Sequence, residues 1–177
     1  MYKLALVVGR FQPLHLGHEA MIDAAFKVSE KVIVCISSAQ ESNTQKNPFD
    51  YKTRKDILSK VYPNAIILPL NDIGVGNNGK WGEYVLNTVY KSQKEYPDIF
   101  VCGFETRRIN WFDGCEKEPD VLTISRNKLN ISSTMLRNAL KDGKAWKDMV
   151  NPKLHSYYEE LFKDLDFNLL IKESKSI

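Results

Sequence analysis

Five short apolar runs separated by segments of helical spacing constrain the fold of this chain more than any other feature. The runs are Lys3–Val8, Lys31–Ser37, Ala65–Leu70, Ile99–Gly103 and Val121–Ile124. Between them, Met21, Ala24, Ala25 and Val28 recur on one helical face, as do Trp81, Tyr84, Val85, Thr88 and Val89. Tyr51–Val61 reads as a charged helix with Ile57, Leu58 and Val61 turned inward. Strands that alternate with helices predict an α/β fold, a parallel sheet covered by helices on both faces. Ligands of such sheets bind beyond the carboxyl ends of the strands. The loops after Val8, Ser37 and Gly103 are therefore expected to converge on one rim.

The last third changes character. Ser132–Lys141 reads as a helix with Ser132 or Ser133 as its cap and Gly143 as its stop. Trp146, Met149, Val150, Leu154, Tyr157, Tyr158, Leu161 and Phe162 then supply a further apolar helical region that should pack on the domain. A length of 177 residues suits one domain. It is expected to span 1–165, C-terminal helices included, with 166–177 as a frayed tail.

The 43% hydrophobic and 27% charged composition is that of a soluble globular protein. The net charge of +3 is spread along the chain without a basic stripe, so nucleic acid is not an expected partner. No apolar run is long enough to span a bilayer. The first strand starts too early to leave room for a signal peptide. Cys35 and Cys102 sit in strand-like runs and Cys115 in a polar loop, which gives neither a disulfide framework nor a zinc pattern. A reducing cytoplasm is the expected compartment.

Chemistry concentrates at the first strand's end, in Gly9-Arg10-Phe11-Gln12-Pro13-Leu14-His15-Leu16-Gly17-His18. A strand that stops at a glycine, turns tightly and delivers two histidines to a helix start is suited to holding phosphates. Backbone N–H groups and the helix dipole favour negative charge there, and imidazoles donate to the same oxygens. His15 and His18, three apart, can face one phosphate chain; the competing reading is a pair of capping or core histidines. His155, alone in the C-terminal region, reads as a surface or packing residue. Further on, Ser132, Ser133 and Thr134 at a helix start offer N–H groups and hydroxyls to phosphate, and Arg137 adds a forked cation one turn in. The alternative is an ordinary capped helix with a solvated arginine.

These two segments resemble the nucleotidylyltransferase superfamily. Gly9–His18 is similar to its loop ending in His-x-Gly-His, and Ile131-Ser132-Ser133-Thr134-Met135-Leu136-Arg137 to its Ile-Ser-Ser/Ala-Thr-x-x-Arg segment. The middle of the chain resembles the archaeal-type nicotinamide-nucleotide adenylyltransferases more narrowly. Ser37-Ser38-Ala39-Gln40 through Thr44-Gln45-Lys46-Asn47-Pro48-Phe49 is similar to their Gly-Ser-Ala-Gln…Thr-x-x-Asn-Pro-Phe loop, and Arg54 falls where they carry an arginine. Leu68–Ile73, Asn78 with Trp81, and Gly143–Val150 match further family segments, so the resemblance stops only near Leu165. It departs after the fourth strand, where Gly103-Phe104-Glu105 replaces Gly-Asn-Ser/Asp and Arg107-Arg108 follows, and at the insert-like Gly74–Asn77.

The resemblance implies a Rossmann-like fold and an enzyme of NAD (pyridine nucleotide) biosynthesis, a homo-oligomer without nucleic-acid or membrane partners. It would transfer AMP from ATP to nicotinamide mononucleotide (NMN), releasing NAD and pyrophosphate. His15, His18 and Arg137 are the implied catalytic residues. Gly9, Arg10, Phe11, Gln12, Pro13, Gly17, Gly103, Ile131, Ser132, Ser133 and Thr134 would bind ATP. Ser38, Gln40, Asn47, Arg54, Asn78 and Trp81 would bind NMN. Mg²⁺ is expected on the phosphates, with no protein metal ligands.

An indole such as Trp81 can hold the cationic nicotinamide ring by stacking, or simply pack its helix. Gln40 and Asn47 either bind substrate or satisfy their own loop. Arg54 either approaches a phosphate or pairs with a carboxylate. The alternatives in function are another phosphate acceptor, such as phosphopantetheine or a phosphosugar, and a nucleotide-sensing module without turnover.

Overall fold

Strand and helix alternate as the sequence predicts. The computed structural model describes residues 1–75, 79–103, 110–125, 131–163, 165–166 and 169–170. In chain order these form β1 (Tyr2–Gly9), α1 (Leu16–Val28), β2 (Ser29–Ile36), α2 (Tyr51–Val61), β3 (Ile66–Pro69), α3 (Gly79–Gln93), β4 (Ile99–Gly103), β5 (Asp120–Ile124) and α4 (Ser133–Lys141). Two short 3₁₀ turns, Lys147–Met149 and Pro152–Leu154, lead into α5 (His155–Lys163). The strands make one parallel sheet in the order β3-β2-β1-β4-β5.

Successive strand side chains point to opposite faces, and in the three central strands β2, β1 and β4 both faces are largely buried. Ala5 and Val7 of β1 join Val32, Val34 and Ile36 of β2 in a core completed by Met21, Ile22 and Ala25 of α1, Ile57 and Leu58 of α2, Leu136 and Tyr158. Leu4, Leu6 and Val8 face the other way with Ile33 and Cys35, under Trp81, Val85, Leu86 and Val89 of α3 and the Trp111–Cys115 segment. Double burial is why the strands read as unbroken apolar runs rather than alternating ones.

This topology decides where a ligand can sit. From β1 the chain crosses through α1 to β2 on one side, then returns through α3 to β4 on the other. The two crossovers leave β1 in opposite directions and open a crevice beyond the carboxyl ends of β1 and β4.

Local chemistry sets the helix ends. Asp50 caps α2, accepting from the Thr53 N–H at 2.7 Å. That bond holds the Asp50 carboxyl below its ordinary range. Of the two serines expected to cap α4, Ser132 does so, accepting from the Met135 N–H at 3.2 Å. The helix ends at Gly143 with φ +64°. There the Lys144 N–H reaches the Ala139 carbonyl and the Gly143 N–H that of Leu140, a Schellman closure.

The C-terminal apolar region is helical and packs on the domain, in short pieces: Pro152 starts a turn that Asn151 caps, accepting from the Lys153 N–H at 3.0 Å. Cys115 lies in a loop, as expected, and is buried there against α3. A Cβ on Gly82 of α3 would lie 2.2 Å from the Trp111 carbonyl and 3.1 Å from Cys115 Sγ, so glycine permits that approach. Most of the expected tail lies outside the described residues. No helix among the described residues is long and apolar enough to cross a membrane.

Candidate active site

The loop between β1 and α1 is held by its own side chains. A Cβ on Gly9 would lie 2.9 Å from Phe11 Cζ, so glycine there lets the Phe11 ring fold back over the strand end. Phe11 itself takes a left-handed backbone, φ +50°. His15 caps α1, its Nδ1 accepting from the Gly17 N–H at 3.1 Å. A neutral imidazole that accepts at Nδ1 carries its proton on Nε2. The His15 and His18 rings stack at 3.7 Å with 25° between planes, and His18 also meets Phe11 at 4.8 Å. A Cβ on Gly17 would crowd His15 Cε1 at 3.0 Å and the Ile131 carbonyl at 3.2 Å. The glycine thus lets the ring and the approach to α4 close on the same point.

The start of α4 is tied to that loop. Arg137 Nη1 donates to the Gln12 carbonyl at 2.7 Å, and Nη2 to Thr134 Oγ1 at 3.3 Å. Ser133 Oγ donates to the Pro13 carbonyl at 3.4 Å. Residues more than a hundred positions apart therefore share one rim, as the sequence motifs require. The histidines are largely buried, His15 at 1% exposure and His18 at 9%. Ser132 caps the helix through its hydroxyl oxygen, which accepts from the Met135 N–H.

The loop after β2 forms a second wall, and here several of the residues expected to bind ligand hold the loops together. Gln12 is 1% exposed. Its Nε2 donates to the Phe49 carbonyl at 2.8 Å and its Oε1 accepts from the Phe49 N–H at 3.0 Å. The carboxamide clips the two loops together instead of reaching toward a nucleotide. Arg54 is fully buried. Its guanidinium donates to the carbonyls of Arg10, Ser37 and Ser38 at 2.9–3.1 Å, to that of Glu41 at 3.4 Å, and through Nε to that of Asp50 at 3.1 Å. Burial lowers it to about 10, still cationic at neutral pH. Neither expected role, on a phosphate or on a carboxylate, describes it, because neutral carbonyls of three segments occupy the fork.

Ser38, with φ +49°, is held in that cluster by its carbonyl. Gln40 is exposed and its Oε1 accepts from the Asp72 N–H at 3.1 Å, linking the loops after β2 and β3. Asn47 is 3% exposed, and its backbone and the Thr44 side chain and N–H close a small turn. Trp81 is not an open platform: it is 6% exposed, with its ring 5.4 Å from Tyr84 and 5.8 Å from Trp111. Its position on the inward stripe of α3 buries the indole. Gly103 ends β4 opposite Ile124. Asn78, Arg107 and Arg108 lie outside the described residues.

Sequence reasoning missed Gln45, Lys46, Asn138 and Lys141, and the contacts of the C-terminal segment. Gln45 and Lys46 of the second loop join Thr134, Arg137, Asn138 and Lys141 of α4 around an open cavity of about 270 Å³. The α4 members stand at i, i+3, i+4 and i+7, a spacing that could have flagged them. From the C-terminal segment, fully buried Tyr158 donates to the Leu14 carbonyl at 2.8 Å, and Asn151 Nδ2 donates to Glu19 Oε2 at 2.8 Å. Desolvation raises the Glu19 carboxyl above its ordinary range. His155, as expected, packs, its Nε2 3.1 Å from the Lys147 carbonyl and its ring against Trp146. Among the described residues no His, Cys, Asp or Glu cluster has the make-up of a metal site.

The sequence profile of the cytidylyltransferase-like family matches residues 6–139. The nicotinamide-nucleotide adenylyltransferase of Thermococcus kodakarensis is 29% identical over 169 residues, 91% of this chain and 85% of the relative. That of Picrophilus torridus is 30% identical, over 89% of this chain and 90% of the relative. Among solved structures, a bifunctional NMN adenylyltransferase/ADP-ribose pyrophosphatase from Francisella tularensis, complexed with AMP and a manganese ion, superposes with TM-score 0.77 at 28% identity. The alignment takes in 94% of this chain but spans only 51% of that longer one.

Proposed function

Because the chain belongs to the cytidylyltransferase-like family and, within it, to the nicotinamide-nucleotide adenylyltransferases, we propose that it transfers AMP from ATP to NMN. The products are NAD and pyrophosphate, which makes it a nucleotidyltransferase of NAD biosynthesis. The observation that carries this reading is the 2.7 Å bond from Arg137 to the Gln12 carbonyl. It joins the histidine loop and the α4 start into one phosphate-binding rim.

The chemistry needs no protein nucleophile. A phosphate-monoester oxygen of NMN attacks the α-phosphorus of ATP, the bond from that phosphorus to the bridging oxygen breaks, and pyrophosphate leaves in line with the electron pair. The protein's work is positioning two anions and stabilising the charge that spreads over the phosphoryl oxygens. His18 is assigned to the α-phosphoryl oxygens. His15, with its proton set on Nε2, stands beside the triphosphate as a donor. Arg137 binds the β- and γ-phosphates, aided by Thr134, the N–H groups of the α4 start, and Arg10. Gln12 and Arg54 act through the loops they hold and are positioning residues.

Mg²⁺ belongs to the substrate in this scheme. The side chains that line the cavity between the second loop and α4 are cationic or neutral, so phosphate oxygens and water supply the ion's ligands. On the acceptor side, the loop from Ser38 to Asn47 is the wall expected to meet NMN.

Incubation with ATP, Mg²⁺ and NMN, followed by chromatography, should show NAD and equimolar pyrophosphate; no NAD under these conditions overturns the reading. Replacing His18 by Ala should lower kcat by about a hundredfold or more and leave NMN affinity within about threefold. Near-normal turnover would remove His18 from its assigned place.

A further inference from the structure

The segment His15–His18 is held at both of its ends by one distant stretch of chain. Immediately before it, the Leu14 carbonyl accepts from fully buried Tyr158 of α5 at 2.8 Å. Immediately after it, Glu19 Oε2 accepts from Asn151 Nδ2 at 2.8 Å. Asn151 is fixed in that orientation, because its Oδ1 accepts from the Lys153 N–H at 3.0 Å and caps the turn that opens with Pro152. The stretch is seated by Val150, Leu154 and Tyr158, which are buried in the same core as Met21 and Ile22 of α1.

Glu19 is 6% exposed, and its Oε1 has no hydrogen-bond partner among the described residues. Apolar side chains would fasten two helical segments at lower free-energy cost than a buried carboxyl. What they lack is direction. A carboxyl in the first turn of α1, bonded to one fixed donor, sets the rotation of that turn, and His18 turns with it. The other charged and titratable groups facing Glu19 are Asp23 one turn on, Lys153 of the Pro152 turn, Tyr62 after α2 and Tyr158 of α5. Tyr62 donates to Asp23 at 2.8 Å and Tyr158 to Leu14. Among the described residues Asn151 is thus the donor that orients the carboxyl.

We infer that Glu19 and Asn151 are positioning residues for adenylyl transfer: their bond fixes the angle at which His18, and His15 stacked on it, meet the α-phosphoryl oxygens. The inference rests on the proposed reaction for its chemistry and adds two residues outside both sequence motifs. The pair touches no reacting atom. Its loss misaims the histidines toward the charge that develops in the transition state and leaves the loop after β2 in place. Turnover then falls while NMN binding does not.

The test exchanges the partners. Asn151→Asp keeps the cap on Lys153 but sets two carboxylates against each other, which cannot both stay ionised so close together. At about pH 8 its kcat should fall about tenfold, with KM for NMN within about twofold of wild type. As the pH falls, one proton shared by the two carboxyls remakes the bond, so the ratio of variant to wild-type kcat should climb. Glu19→Gln/Asn151→Asp restores the contact with donor and acceptor reversed and should return kcat to within about twofold of wild type. The ring signals of His15 and His18, read by nuclear magnetic resonance without nucleotide, should move in Asn151→Asp and return in the double variant. Thermal unfolding checks that each variant is folded. Asn151→Ser, which keeps a cap and removes only the donor, reads the same loss if the charge pair prevents Asn151→Asp from folding. A wild-type kcat with unmoved ring signals in the folded single variant overturns the inference, as does a folded double variant that stays as slow as the single one. Wild-type protein that forms no NAD refutes the acceptor assignment, and the ring signals alone then decide the positioning role.

Discussion

Arg54 offers the sharpest test of how this site is built. Its donors serve main-chain carbonyls of the histidine loop, the loop after β2 and the α2 start. Arg54→Met keeps most of the aliphatic volume and removes every donor. Three rim bonds of 3.1 Å or shorter are lost together. Each buried acceptor left unmade costs about 1–3 kcal/mol. Loss of the unfavourable burial of the charge, and water entering the gap, return part of that.

A net destabilisation of about 3–5 kcal/mol follows, or a Tm lower by about 10 °C for a chain of this size. Arg54→Lys keeps the charge but not the fork, and should lie between the two. Thermal unfolding by circular dichroism without nucleotide reads the effect, with kcat and both KM values measured on the same samples. A positioning role requires that Tm and activity fall together. If Arg54→Met unfolds at the wild-type temperature and only KM for a substrate rises, the guanidinium is a ligand contact and this reasoning is wrong.

Three further outcomes follow from particular contacts. Glu19 is raised by burial, so the folded chain binds its proton more tightly than the unfolded chain, and stability falls as pH rises from its ordinary 4.5 through the folded value. Glu19→Gln should flatten that part of a Tm–pH curve, and an unchanged slope would contradict it. Gly82→Ala places a methyl 2.2 Å from the Trp111 carbonyl; the backbone must move, at about 3 kcal/mol or more, and a denaturant midpoint equal to wild type would show that the approach is looser than described. Tyr158→Phe leaves the buried Leu14 carbonyl without its 2.8 Å donor. A loss of about 1–2 kcal/mol and a lower kcat at nearly constant KM should appear in parallel urea melts and steady-state kinetics, whereas a kcat at the wild-type level would separate the C-terminal segment from the histidine loop.

Much of this molecule was readable one residue at a time. The doubly buried strands announce themselves because neither face needs polar residues, and the observed spans of β1 to β5 lie within two residues of the expected ones. Ser132 and Gly143 bound α4 because capping and a left-handed stop are satisfied by the chain's own neighbours. The histidine loop and the Arg137 segment were legible for the same reason: a strand, a glycine and a helix start are set by local geometry.

What a long polar or aromatic side chain touches is a different kind of fact. Arg54, Gln12 and Trp81 each carry groups that fit a ligand as well as a neighbour, and only folding decides which lies closer. It brought carbonyls to Arg54, the Phe49 backbone to Gln12 and Trp111 to Trp81. The same assembly set Lys46 across from Lys141, ninety-five positions later. Short-range stereochemistry wrote the elements and the phosphate motifs into the sequence itself. The division of polar side chains between scaffold and site was settled by contacts that exist only once the distant segments have met.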